Sequence, residues 1–307
     1  MYNFFIPFSL GLLIFLCGLC KLRKGIAALA EKKLEYILVR FTKTTNRSFL
    51  TGIISTACLQ SSTAITVLTI GFVNAGVLSF TKSIGIILGS NIGTTFTTQL
   101  LTLKIEQLAL PLITLGTIFY LIPYKKTPAL GLAIIGFGAL FLGINTMQGC
   151  AHYLEHLGCT EMLLRNSSYP ILVGILIGSL FTALTHSSSA TTAIAMGFYA
   201  TGSTSLPLAI ALVFGSNIGT CATGLVAAIN TTVNAKRVAL ANFILNVGGV
   251  LIFIPFIPTL YHLAPYLTSD KSLQLAHIQT LFNIICSCGV LPFSHHFANF
   301  IKKFYKD

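Results

Sequence analysis

Two short polar motifs occur twice in this chain at one fixed separation. Gln60-Ser61-Ser62-Thr63-Ala64 is followed by Gly89-Ser90-Asn91-Ile92-Gly93-Thr94. The same order returns as His186-Ser187-Ser188-Ser189-Ala190 and Gly215-Ser216-Asn217-Ile218-Gly219-Thr220. His186 lies 126 residues after Gln60, and Gly219 lies 126 after Gly93. Between the motifs, Gly71-Phe72 matches Gly197-Phe198, Gly76 matches Gly202 and Ser79 matches Ser205, without a gap. Recurrence of polar, glycine-containing motifs at one offset marks a duplicated unit. The fold has to be built from two similar halves.

The motifs sit in apolar surroundings. With 54% hydrophobic and 8% charged residues and a mean hydropathy of +0.84, the chain has too few polar side chains to coat a soluble globule of 307 residues. An integral, all-α membrane protein is the class this implies, with the lipid bilayer as its partner. The net charge of +12 does not point to nucleic acid, because the Lys and Arg residues gather in short linkers between apolar runs. The eight cysteines follow no zinc or disulfide spacing, so no transition metal or cofactor is expected. Phe4–Leu19 has its basic residues after it rather than before it, the wrong polarity for a cleaved signal peptide.

In chain order, Phe4–Leu22 reads as a spanning helix, and Lys21–Arg47 as a basic amphipathic helix lying at the membrane surface. Residues 48–76 are apolar but interrupted at mid-length by Gln60-Ser61-Ser62-Thr63. That length is too great for one span of about 20 residues and too small for two. A re-entrant helical hairpin with its polar tip at membrane depth fits it. Phe80–Leu103 follows, expected to be broken at Gly89–Thr95. Leu108–Pro123 and Leu130–Met147 read as spans separated by Lys125-Lys126. A polar linker, Cys150–Ser168, leads to a second hairpin at 169–202 and a second broken helix, Leu206–Ile229. Val238–Pro258 and His277–Phe293 are the last spans, separated by Tyr261–Lys271. The division is a first repeat at 1–126, a second at 127–260, and a C-terminal linker, span and basic tail at 261–307.

With re-entrant hairpins, the basic residues of Lys21–Arg47, Lys82, Lys125, Lys126, Lys236, Arg237 and the C-terminal lysines fall on one side. Only Lys104, Arg165 and Lys271 remain on the other. The positive-inside rule then places the C-terminus in the cytoplasm and the N-terminus outside, in a multi-pass plasma-membrane protein. Three crossings per half make the second half inverted, whereas four make it parallel.

At each tip, Ser and Thr are preferred N-caps, and the first N–H groups of the following arm lack intrahelical partners. Those donors, the hydroxyls and the positive end of the helix dipole suit an oxyanion. The Asn-Ile-Gly-Thr elements offer amide, hydroxyl and freed carbonyl oxygens, which a sodium ion accepts. No Lys or Arg falls in either tip motif, so cations are expected to offset the anion's charge. Scattered polar residues such as Ser9, Thr114 and Ser287 are instead explained by close helix packing in lipid.

The motif pair resembles the duplicated signature of the type II sodium–phosphate cotransporter family. Ala241–Asn246 and His277–Asn283, with its Leu281-Phe282-Asn283, resemble that family's later helices. The resemblance implies two inverted repeats, phosphate held between the serine-rich tips, and sodium bound close by; alternating access, with sodium and phosphate bound together between the tips, is the mechanism expected. By carry-over, Ser61, Ser62, Thr63, Ser187, Ser188 and Ser189 contact phosphate. Gln60, Thr66, Asn91, Thr94, His186, Thr192, Asn217 and Thr220 bind sodium or shape the tips. Ile65 replaces a family hydroxyl, and His186 stands where the family has Gln. Imidazole titrates near neutrality, so His186 either replaces one amide hydrogen bond or admits a proton as coupling ion.

A hydrolase built on His186 and Ser188 lacks an acid to orient the base, because no Asp or Glu lies in the apolar segments. Glutamine at the equivalent Gln60 is no base, so an enzyme is not expected. The residues alone admit an ion-coupled carrier of another small anion, such as sulfate or a carboxylate, and a proton-coupled phosphate carrier or exporter.

Overall fold

A computed structural model describes residues 2–150 and 169–305, apart from the side chains of residues 2–3, 31–39 and 106. Among these residues every regular element is a helix. The first half comprises α1 (Tyr2–Arg40), α2 (Thr45–Leu59), α3 (Ser62–Asn74), α4 (Phe80–Leu100) and α5 (Ala109–Leu121). The second begins with α6 (Thr127–Gly149), α7 (Pro170–Thr185), α8 (Ser188–Thr201), α9 (Leu206–Gly219) and α10 (Cys221–Ala227). It ends with α11 (Val233–Phe253), α12 (Ile257–Leu267), α13 (Lys271–Val290) and α14 (Ser294–Lys302). Among the described residues, five stretches are long and apolar enough to cross a membrane: Phe4–Ala30, Thr127–Gly149, Leu206–Ala227, Val233–Leu267 and Lys271–Lys302.

The duplication persists in three dimensions. α2, α3 and α4 recur as α7, α8 and α9–α10, each boundary within one residue of the sequence offset. The packing repeats as closely. A Cβ on Gly89 would lie 2.0 Å from the Phe49 carbonyl oxygen, and one on Gly215 lies 2.1 Å from the equivalent oxygen of Ile175. Gly52 and Gly178 face Ile86 and Leu212 in the same way, at 2.3 and 2.2 Å. In each half, therefore, the backbones of the long helix and the first tip arm touch directly. Small residues permit this close approach between membrane helices. Gly76 (φ 73°) and Gly202 (φ 87°) also match, each turning the chain after α3 or α8 where a side chain would be strained.

The halves interlock. α3 and α4 share an apolar cluster with α11 and α14, built around Ile65, Ile84, Ile87, Ala241 and Ile301. A second cluster joins α1 and α6 to α8, α9 and α13 through Phe15, Phe141, Phe214 and Phe282. Arg237, almost fully buried, donates from Nη1 to Asn234 Oδ1 (2.7 Å) and from Nε to the Tyr305 carbonyl (3.1 Å), fixing the C-terminal segment.

Several expectations are corrected. α4 runs unbroken through Gly89–Thr95. Its counterpart is interrupted only at Thr220, which keeps right-handed helical angles (φ −62°, ψ −24°) and whose N–H still bonds the Ser216 carbonyl. The glycines of these elements serve close contact with the neighbouring arm, so no helix break is needed to explain them. The span and surface helix predicted before Arg47 form one 39-residue helix, α1. Lys, Arg, Leu, Ala and Glu are all good helix formers, and neither Pro nor a turn motif divides them. Tyr261–Lys271 is mostly helical rather than linker, because α12 continues α11 through a short 3₁₀ turn. Beyond Cys150, the linker predicted up to Ser168 lies outside the described residues.

Gly89→Ala and Gly215→Ala each force two backbones apart and should cost about 1–3 kcal/mol, as other overpacked sites do. Gly71→Ala is the control, since a Cβ there meets nothing within 4 Å. Thermal unfolding midpoints in detergent should fall for the first two variants and not for the third.

Candidate functional site

Each tip is a two-residue turn with the same backbone. α2 ends at Leu59, and Gln60 takes left-handed angles (φ 55°, ψ 29°) while its N–H bonds the Thr56 carbonyl at 2.8 Å. Ser61 is extended (φ −154°, ψ 98°), and its Oγ accepts from the Ala64 N–H at 3.2 Å, capping α3. His186 (φ 51°, ψ 29°) and Ser187 (φ −145°, ψ 97°) repeat the turn, with Ser187 Oγ accepting from the Ala190 N–H at 3.3 Å. A residue with a Cβ held in the left-handed region costs about 1–2 kcal/mol. Strain of this kind persists where the surroundings over-determine it, commonly at functional sites.

The caps divide labour among the tip hydroxyls. Ser61 and Ser187 use a lone pair to hold the arm and keep a hydroxyl hydrogen to donate. Ser62, Thr63, Ser188 and Ser189 lie at the first helical positions of α3 and α8, where N–H groups have no intrahelical partner. Each tip thus presents free N–H groups and hydroxyls at the positive end of a helix dipole, a combination that attracts an anion.

Around the tips the oxygen donors are mostly side chains. Thr94 Oγ1 donates to the Ser90 carbonyl (3.0 Å) and Thr220 Oγ1 to the Asn217 carbonyl (2.6 Å), leaving lone pairs on both hydroxyls. Asn217 is buried and donates to the Val213 carbonyl (3.3 Å), whereas Asn91 is half-buried. The freed backbone carbonyls expected here are absent from the first copy, where α4 is continuous, whereas at the interruption in the second the Asn217 carbonyl accepts side-chain bonds from Thr220 Oγ1 and Cys221 Sγ. Gln60 Oε1, Thr97 Oγ1 and Thr192 Oγ1 are buried without a partner.

The structure also joins residues from separate motifs. His186 Nδ1 lies 2.8 Å from Thr223 Oγ1 of α10. The next residue, Gly224, faces Thr66 of α3, whose Cγ2 would lie 3.3 Å from a Cβ placed there. The second tip and the first arm therefore meet at successive residues of one short helix. α8 in turn packs against α4 of the first half. No hydrogen bond links Ser61–Thr63 directly to Ser187–Ser189 among the described residues.

Sequence reasoning missed three features. Arg23 of α1 donates from Nε to the Gln60 carbonyl (2.9 Å), so a cation does stand at the first tip, contrary to the expectation. No local motif signalled this contact, 37 residues away in the chain. Thr97 and Thr223 could have been found, since they too are related by the repeat offset. Third, polar residues of α13 meet α4: Thr98 donates to Gln279 Oε1 at 2.9 Å.

Two cavities flank this region, and neither is lined by the serines or threonine of the tips. One, of about 540 Å³, is mostly apolar and touches Gln60 beside α1. The other, of about 420 Å³, is polar and lies between the end of α4, the end of α8 and the start of α13. There Lys104 Nζ meets Asp270 Oδ2 at 2.6 Å. The Lys104 contact, aided by the Leu273 N–H that Asp270 caps, holds this carboxyl below the usual carboxylate range.

The family model described as Na+/Pi-cotransporter matches residues 14–149 and 158–259. The chain is 36% identical over 296 residues to the uncharacterised protein YqeW of Bacillus subtilis, covering 96% of each. It is 28% identical over 289 residues to a Salmonella typhimurium protein given the provisional name inorganic phosphate export protein YjbB. That match covers 93% of this chain and 53% of the relative. An 87-residue stretch, 27% of this chain and 12% of the relative, is 34% identical to sodium-dependent phosphate transport protein 2B of Rattus norvegicus. No solved structure matches the chain. With both motif pairs inside the matched residues, this multi-pass membrane protein belongs to the Na+/Pi-cotransporter family.

Proposed function

We propose that the protein is a sodium-coupled secondary transporter of inorganic phosphate, working by alternating access across the plasma membrane. The observation that carries this reading is the pair of tips. Two helix N-termini in matching strained turns each offer unspent hydroxyl and N–H donors, which suits an oxyanion better than any cation. Phosphate is held between Ser61, Ser62 and Thr63 on one side and Ser187, Ser188 and Ser189 on the other. Sodium binds at the oxygens of Asn91, Thr94, Asn217 and Thr220, with Gln60, Thr66 and Thr192 shaping the tips.

Helix length supports a re-entrant arrangement. α2, with 15 residues, and α3, with 13, rise about 22 and 20 Å at roughly 1.5 Å per residue. Neither alone crosses a hydrocarbon core of about 30 Å. Two hairpins entering from opposite faces make the halves inverted repeats, with the site near mid-membrane. Direction follows from the gradients. Coupled carriers run down the combined gradient of substrate and ion, and the relative named for phosphate export favours an outward mode under some conditions.

Radiolabelled phosphate uptake into proteoliposomes, with a sodium gradient against a potassium control, tests the reading. Sodium-dependent accumulation that competes with arsenate and not sulfate is expected. No uptake under either a sodium or a proton gradient rejects phosphate as substrate. Ser62→Ala and Ser188→Ala should each raise the phosphate KM about ten- to a hundred-fold, the equivalent of one lost hydrogen bond to a charged group. Asn91→Ala and Asn217→Ala should mainly raise the sodium concentration needed for half-maximal rate. His186 acts as a hydrogen-bonding stand-in for glutamine, anchored on Thr223. Accordingly, His186→Gln should leave the pH profile of uptake unchanged, whereas a displaced profile would make the proton a coupling ion.

A further inference from the structure

The amide of Gln279 occupies a position that neither repeat motif explains. α13 crosses the first Gly-Ser-Asn-Ile-Gly-Thr element. Near the start of α13, Gln99 Nε2 of α4 lies 3.2 Å from His277 Nδ1 and 3.0 Å from Thr280 Oγ1. Near its end, Val290 packs on the cluster that contains Ile84 and Ile87 of α4. The two helices therefore run antiparallel. At about 1.5 Å of rise per residue, Asn283 comes level with Thr94 and Thr95, one turn beyond the Gln279–Thr98 pair. α13 also packs against α8 and α9, so it touches both halves of the duplication.

Gln279 is fully buried, and one end of its amide is unused. Thr98 Oγ1 donates to Oε1, while Nε2 has no partner. Turning the amide over strands the oxygen instead, so in either orientation the side chain needs a partner from outside the helix pair. A buried amide donor left unbonded is destabilising, because it has given up water without gaining a partner. Asn283 Nδ2 donates to the Gln279 backbone carbonyl at 2.9 Å and does not fill the gap.

The polar cavity of about 420 Å³ lies directly beyond this pair. Leu101 and Thr102 of its wall follow Thr98 by one turn of chain, and Lys104, Asp270 and Lys271 line it as well. Lys104 is paired with Asp270, and Lys271 Nζ stands 5.7 Å from the Tyr199 ring centroid. Gln279 thus lies, through its partner Thr98, about one helical turn from a cavity carrying two cations and one acid, on a helix that also packs against α8. We propose that Gln279 Nε2 donates a hydrogen bond to the transported oxyanion between the cavity and the serine tips, as a substrate contact supplied by neither repeat. The proposal rests on the phosphate-carrier reading.

The test uses the full-length protein in proteoliposomes, with initial rates measured against phosphate at saturating sodium and against sodium at saturating phosphate. Gln279→Glu replaces the donor with an acceptor-only carboxylate. It should raise the phosphate KM at least tenfold relative to wild type, with half-saturating sodium and the detergent unfolding midpoint little changed. Part of that ratio to wild type should be recovered as pH is lowered and the introduced carboxyl protonates. Gln279→Met fills the volume without a donor, should raise KM less, and takes the place of the glutamate variant if that one does not reconstitute. An unchanged phosphate KM, or an effect confined to the sodium dependence or to maximal rate, overturns the proposal. If wild type carries no phosphate at all, the functional reading fails and this assignment fails with it.

Discussion

The first turn of a helix leaves N–H groups that something outside the helix must satisfy. Much of this structure follows from how two such ends are managed. At Ser62 and Ser188 the preceding residue turns extended and returns its own hydroxyl to the third N–H of the arm. The residue before that is forced into the left-handed region, although it is Gln in one copy and His in the other. Two unlike side chains in one strained conformation show that the turn is imposed by the backbone and its packing. What the cap leaves unsatisfied is a fixed set of donors, a combination suited to negative charge without a lysine or arginine in the motif.

The duplication was the most legible part of the fold. Boundaries of α2, α3 and α4 transfer onto α7, α8 and α9–α10 almost residue by residue, and the tips turn where Gln60-Ser61 and His186-Ser187 signalled. The first Asn-Ile-Gly-Thr element was misread as a break, and the second is interrupted only at its last residue, Thr220. Glycine in a helix admits two explanations, a departure from helical geometry or the close approach of another backbone, and only the partner distinguishes them. For Gly89 that partner is the carbonyl of Phe49, 40 positions away, which no local pattern reports. α1 was divided because a change in charge density reads as a change of solvent, whereas helical hydrogen bonding is indifferent to the solvent its side chains meet.

The site was legible to the extent that its residues recur. Offset counting finds Ser61 with Ser187, Gln60 with His186 and Thr97 with Thr223. It cannot find Arg23 or Gln279, which belong to α1 and α13 and have no counterpart at the tips. Such singular contacts are where a symmetric scaffold becomes asymmetric. Arg23 holds the Gln60 carbonyl of one tip, while the His186 ring of the other is tied to Thr223. The two halves share a backbone plan and differ in what fastens each tip.

The glycine contacts within each half also constrain motion. Where Gly89 meets Phe49 and Gly215 meets Ile175, no side chain lies between the two helices to change rotamer and absorb a shift. Axial sliding would carry a Cβ-bearing neighbour onto a carbonyl within a fraction of a turn. Each long helix and its partnered arm are therefore geared together and displace as one rigid lever. Relative movement would meet less resistance at the seams packed by larger side chains, such as those around Phe214 and Phe282, whose ring centroids lie 4.6 Å apart.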